Sequence, residues 1–197
     1  MTGHRPGPFV APQAWAPLPP RPVQLVPATG QVELRGRRVV VGLPGTGWRG
    51  DLRADQRVTQ NSRTYVPVLP EGEWYRAESE LVEMFAPLVP IEQIWVEKLG
   101  HRPTTGTSPD TRPVFPGGPT PPRPTPVVEA GPVTGRRVVQ VVGPAERRDL
   151  RAVSEPYPGS DGDIHLRVMA ELDWYRWAWR GALPSTIEVP AHLLWTE

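Results

Sequence analysis

The 197-residue chain contains 28 prolines, 19 glycines, 8 tryptophans and no cysteine, and 22 basic against 21 acidic side chains leave a formal net charge of +1. So much proline, about three times the usual share of about 5%, excludes helical bundles and long coiled coils because proline interrupts helix interiors. The lack of cysteine excludes disulfide scaffolds and cysteine nucleophiles, balanced charge argues against a strongly electropositive nucleic-acid binder, and no apolar run approaches the roughly 18 residues that span a bilayer.

Residues 1–35 hold eight prolines and residues 101–134 hold ten. Two extended arms are therefore expected, a proline-rich leader at 1–35 and a proline-rich linker at 100–134, preceding compact domains at 36–99 and 135–197. In the first domain Arg38 to Leu43 is a β-branched run closed by Pro44-Gly45, a strand and a turn. Thr64 to Leu69 alternates apolar with polar residues, and Trp74 to Ser79 follows after one short turn, so a hairpin is predicted. Glu80 to Phe85 reads as a brief helix, Val89-Pro90 as the start of a tight helical turn, and Ile94-Trp95-Val96 as a closing strand. The second domain repeats this order through Arg137 to Val142, Asp163 to Met169, Trp174 to Arg180, Val189-Pro190 and Leu194-Trp195-Thr196.

The repetition is literal. Trp74-Tyr75-Arg76 recurs as Trp174-Tyr175-Arg176, Val89-Pro90 as Val189-Pro190, and Trp95-Val96-Glu97 as Trp195-Thr196-Glu197, all offset by 100. Asp51-Leu52-Arg53-Ala54 matches Asp149-Leu150-Arg151-Ala152 with a small shift, and the arm Pro17 to Pro22 resembles Pro119 to Pro124. The chain is thus a tandem duplication of an arm plus a domain of about 60 residues.

The order strand, long loop, Trp-Tyr hairpin, Val-Pro turn and closing strand resembles the Src-homology-3 family of small five-stranded barrels, in particular its bacterial members. The aromatic pair that opens the family's third strand is matched by Trp74-Tyr75 and Trp174-Tyr175, and the proline before its last strand by Pro90 and Pro190. The resemblance implies an all-β fold of two SH3-like barrels with extended proline-rich arms. It also places Asp51 and Asp55, or Asp149 and Glu155, where the family's ligand-pairing acids stand. The family's groove tyrosines are replaced here by Gln93 and Leu193.

In an extended reading Tyr175, Trp177 and Trp179 share one strand face, whereas the first copy has Tyr75, Ala77 and Ser79 there. The partner-binding candidates are therefore Trp174, Tyr175, Trp177, Trp179, Pro190 and Glu155, with Trp74, Tyr75 and Pro90 in the first copy. Trp95 and Trp195, repeated at one spacing, are expected in the barrel cores. The arginines at 37–38, 136–137, 147–148 and 151, interspersed with acids, read as solvated faces. His165 and His192 have no ligand spacing, no nucleophile elbow surrounds Ser154 or Ser160, and the glycine-rich run 42–47 lacks the ending of a phosphate loop. No catalytic set, metal or cofactor is expected. The expected function is that of a cytoplasmic, non-enzymatic adaptor docking an extended peptide or protein in an aromatic groove, mainly of the second barrel. The arms are further candidates to occupy the barrels of their own or a neighbouring chain, and nucleic-acid binding through aromatic stacking or a structural role in a larger assembly are the alternatives.

Overall fold

The structure, a computed structural model, describes residues 18–43, 45–102, 115–181 and 184–197. The first repeat runs β1 (Val23–Pro27), β2 (Arg38–Leu43), β3 (Gly47–Ala54), β4 (Val58–Gln60), β5 (Arg63–Pro70), helix α1 (Glu71–Glu80), β6 (Leu88–Pro90) and β7 (Ile94–Leu99). The second runs β8 (Thr125–Pro126), β9 (Arg137–Val142), β10 (Ala145–Ala152), β11 (Tyr157–Pro158), β12 (Ile164–Ala170), α2 (Glu171–Arg180), β13 (Ile187–Pro190) and β14 (Leu194–Thr196). Short 3-10 turns at Ile91–Gln93 and Ala191–Leu193 follow the two Val-Pro pairs, as expected.

Both sheets are antiparallel and curl into half-barrels, with identical strand order: β1-β7-β2-β3-β5-β4 with β6 on β5, and β8-β14-β9-β10-β12-β11 with β13 on β12. The duplication read from the sequence is a duplication of topology. The cores agree almost position by position: Leu34, Val39, Leu52, Ala54, Val68 and Ile94 correspond to Val133, Val138, Leu150, Ala152, Val168 and Leu194. These are small β-branched and aliphatic side chains, suited to a half-barrel with little interior volume.

Several expectations need correction. The sheets have seven strands each, because β1 and β8 from the proline-rich arms join the ladder beside β7 and β14, and the short strands β4 and β11 pair with β5 and β12. The inner ends of the arms also enter the cores, where Ala28, Leu34, Val127 and Val133 are buried. Trp95 and Trp195 are not core residues: their strand neighbours Ile94, Val96 and Leu194 point inward, so pleating sends the indoles to the opposite face. The Trp-Tyr segments are helices rather than hairpin strands. Each begins with a glutamate in the first turn, where the helix dipole favours negative charge, and neither ten-residue stretch contains a β-branched residue.

The predicted helix over Glu80 to Phe85 is absent, since α1 stops where Leu81 turns left-handed at φ 53° and ψ 38°. Its counterpart after α2 is Gly181, at φ 68°. Glycine is the usual residue at this helix terminus because it carries no β-carbon to clash. Leu81→Gly is therefore expected to stabilise the protein by about 1 kcal/mol, measured as a higher urea midpoint at unchanged slope; a lower midpoint would show that the Leu81 side chain contributes more than its backbone strain.

Candidate functional site

Three places on this scaffold gather the chemically distinctive residues. The first lies between the repeats. Helices α1 and α2 approach each other so that Tyr75 and Tyr175 stack, ring centroids 5.3 Å apart. Each phenol crosses to the other repeat: Tyr75 OH donates to Glu171 at 2.8 Å and Tyr175 OH to Glu71 at 3.2 Å. Arg53 and Arg151 follow the same symmetry, each donating to the tyrosine of its own repeat, at 2.9 and 2.7 Å, and to the carbonyl of Gly36 or Gly135. Glu71 receives Arg38 at 2.7 Å and lies 3.0 Å from Arg53 and 3.1 Å from Arg151, while Glu171 is reached by Arg38 and lies 3.0 Å from Arg151. Both glutamates are buried.

Burial alone would raise the Glu71 carboxyl, but Arg38 and Arg53 outweigh it and hold the group below its ordinary value. Burial, helped by the neighbouring Glu171, pushes the Tyr75 phenol up to about 12, and Tyr175 moves the same way through burial and Glu71. The tyrosines are thus neutral donors and Glu71 an ionised acceptor, which is the combination the clasp needs. Of the arginines read as solvated from sequence, Arg37 and Arg147 are at the surface as expected, whereas Arg38 and Arg151 lie in the clasp, 16% and 9% exposed, and Arg137, paired with Glu97 at 3.1 Å, is 12% exposed. Intrusion of a like-charged or bulky partner is not needed to explain them; they fasten one repeat to the other.

The second feature is an exchange of arms. Residues 18–22, which precede the first repeat, lie on the second: the Arg21 backbone N–H donates to Glu146 at 2.9 Å and its guanidinium at 3.2 Å, and Arg148 donates to the Arg21 carbonyl. Pro19 and Trp195 line the same small cleft. Residues 115–122, which precede the second repeat, lie on the first. Phe115 packs edge-on against Trp95, which in turn meets Trp48 edge-on at 6.0 Å. A β-carbon on Gly118 would stand 2.9 Å from the Trp95 ring, so only glycine permits the arm to lie this close. In the duplicated hairpin Trp48 and Glu146 are equivalent, and so are Gly50 and Arg148. The same dock is apolar in the first repeat and ionic in the second.

Glu146 is correspondingly perturbed. Although burial opposes ionisation, hydrogen bonds from Arg102 and the Arg21 backbone and the charge of Arg148 bring it down to about 2.

The third feature is an open cleft of about 830 Å³ in the first repeat, between β5, the outer side of α1 and the chain that follows it. Trp74 and Leu69 form its floor, Leu81, Met84 and Phe85 its wall, and Arg35, Asp55, Glu78 and Glu83 its polar rim. Arg35 is 3.1 Å from Glu78 and 3.7 Å from Asp55. Leu81 and Phe85 are about nine-tenths exposed. Ala77 lies beside Trp74 on this side of α1. At the equivalent place in α2 stands Trp177, packed edge-on against Trp174 at 5.6 Å.

The aromatic groove expected in the second repeat does not survive this geometry. On a helix Tyr175 and Trp177 point about 200° apart, so the three rings share no face: Tyr175 turns into the clasp, Trp177 leans on Trp174, and Trp179 is half-buried with its indole N–H unpartnered. Pro90 and Pro190 stand in the ladders opposite Tyr65 and His165, away from the helices. Glu155 accepts the backbone N–H groups of Val133 and Thr134 and the Thr134 hydroxyl, which lower its carboxyl and tie down the turn before β9.

Sequence reasoning missed Glu71, Glu171, Arg53 and Arg151 as a set, though all four are repeated residues. The signal was present in the exact recurrence of a glutamate three residues before each Trp-Tyr pair. Comparisons with protein-family models, curated proteins and solved structures return no match for this chain.

Proposed function

We propose that the protein is a non-enzymatic interaction module of two SH3-like barrels that docks an extended segment of a partner protein in the Trp74 cleft of its first repeat. The carrying observation is the difference between the copies at one position: Ala77 lines an open cleft together with the largely buried Trp74, whereas at the equivalent place Trp177 packs edge-on against Trp174. Leu81 supports the reading, because an exposed apolar side chain kept in a left-handed conformation is strain of the kind found at binding sites. The cleft falls within the range of about 300–1,000 Å³ typical of ligand sites. Its floor is apolar and its rim polar, the anatomy of a docking site for a side-chain anchor.

The SH3-like reading is supported by the five central strands. In β2-β3-β5-β6-β7 the last strand follows a 3-10 turn and pairs back on the first, with α1 inserted between β5 and β6. The adaptor role gains support from the clasp, which holds the two barrels as one platform.

Ala77→Trp reproduces the second repeat's own arrangement and is expected to weaken partner capture at least about tenfold, the order of one lost anchor. Capture from the native cell on the full chain, wild type beside Ala77→Trp and Trp177→Ala, tests this. A partner lost with Ala77→Trp and kept with Trp177→Ala is expected; a partner lost only with Trp177→Ala would move the site to the second repeat.

A further inference from the structure

Resting on the reading of the Trp74 cleft as a docking site, we infer that its occupant is a partner segment carrying arginine or lysine on both sides of an apolar anchor. The chain as a whole is nearly neutral, yet the cleft rim carries Asp55, Glu78 and Glu83 against Arg35 alone. Arg35 is already engaged by Asp55 and Glu78. Among the described residues Glu83 makes no ion pair, and it lies exposed beside Met84 and Phe85. An acidic segment would meet like charges on the rim, and a fully apolar one would leave this excess uncompensated. A basic residue on each side of an apolar one can reach carboxylates from α1 and from the following chain while its neighbour fills the floor over Trp74.

Backbone pairing cannot supply the recognition on the β5 side. That strand is hydrogen-bonded to β3, β4 and β6 along its length. Side-chain charge and shape therefore carry the specificity. The carboxylates are at the surface, so the attraction is screened over about 10 Å at 0.1 M salt, and affinity falls as salt rises.

The test uses the full chain and three fluorescein-labelled, C-terminally amidated pentapeptides, Arg-Leu-Phe-Leu-Arg and its versions with glutamine or glutamate at both ends, followed by fluorescence anisotropy. The arginine peptide is expected to bind about tenfold more tightly than the glutamine peptide, as two exposed charge pairs allow, and the glutamate peptide more weakly still. Glu83→Arg, an exposed change that leaves the fold intact, is expected to remove most of that preference, and Ala77→Trp to weaken all three peptides. Equal binding of the three, still sensitive to Ala77→Trp, would overturn the basic occupant and leave the docking site standing. Binding of the arginine peptide that ignores Ala77→Trp would overturn both. No binding up to roughly 1 mM, with partner capture still lost on Ala77→Trp, would overturn the inference alone. Two other occupants are separated by the same assay. Tighter peptide binding after deletion of residues 1–17 would assign the cleft to the chain's own leader, where Arg5 and Phe9 carry similar chemistry. Peptide-sensitive dimerisation in sedimentation would assign it to a second copy. Either result would displace the partner segment.

Discussion

Glu71→Ala is expected to destabilise the protein by about 3–5 kcal/mol, the range for removing one member of a buried ion cluster. In a chain of this size that corresponds to a fall in Tm of roughly 6–20 °C. The lost carboxylate accepts from Arg38 and the Tyr175 phenol and lies within 3.1 Å of Arg53 and Arg151. Without it, three guanidiniums with little access to water are left to Glu171, and the penalty is their desolvation more than the vanished attraction. Glu171→Ala should fall in the same range, because the clasp is nearly two-fold symmetric. The double variant should lose more than the two singles added together, since Arg38, Arg53 and Arg151 each reach both carboxylates and the second compensates for loss of the first. Urea unfolding followed by tryptophan fluorescence measures all three. A single-variant loss below about 0.5 kcal/mol, the range of ordinary surface substitutions, would show that the network is solvated in solution. The pH dependence has a definite sign. The folded Glu71 carboxyl is held below its ordinary 4.5, so its contribution is complete above that pH and fades as the pH falls further.

The parts of this architecture that the sequence made legible are those set by local chemistry. Arg38–Leu43 and Arg137–Val142 are strands with the expected bounds because four or more of their six side chains are aliphatic and a turn follows immediately. The 3-10 turns after Pro90 and Pro190 follow from a fixed proline φ at the entry. The helices were misread because tryptophan and tyrosine favour strands on average, while the deciding facts were the leading glutamate and the glycine at 181. Those facts gain weight only when the glutamate's partners are known, and Arg53 and Arg151 come from other strands and, in part, the other repeat. The arms were misjudged at their inner ends for the same reason. Val23 to Pro27 is too short for its alternation of buried Val23 and Leu25 to stand out among the prolines, and β7 supplies its ladder. The difference between Ala77 and Trp177 was legible, but reading the helix as a strand placed Trp177 on one face with Tyr175 and Trp179.

Glu146→Ala is expected to release the first arm from the second repeat and to lower stability by about 2–3 kcal/mol, the upper part of the range for hydrogen bonds to a charged group. The side chain is 2% exposed and is approached by Arg21 at 3.2 Å, Arg102 at 2.6 Å and Arg148 at 3.0 Å. The loss should be smaller than at Glu71, because Arg21 is 44% exposed and regains water when freed, while Arg148 keeps Glu197. The readout specific to the arm is hydrogen exchange at the Arg21 amide, which donates to Glu146 in the wild type. Its protection should disappear in Glu146→Ala while the amide of Ala54, bonded to Arg37 inside the first repeat, keeps its own. Protection that survives at Arg21 would mean that Pro19 and Trp195 suffice to hold the arm. Acid makes the same cut reversibly. With an unfolded value near 4.5 and a folded value of about 2, Glu146 contributes fully above pH 4.5 and loses its contribution as the pH falls through 2. The first arm should therefore detach within that window. In the second arm Arg102 is freed together with Glu146, but the apolar contact of Phe115 with Trp95, which meets Trp48, should stay in place through it. A shared acid transition would show that the two docks act as one unit, coupled through the clasp between the repeats; separate transitions would show that duplication has left two independent latches, one apolar and one ionic, at equivalent positions of the same hairpin.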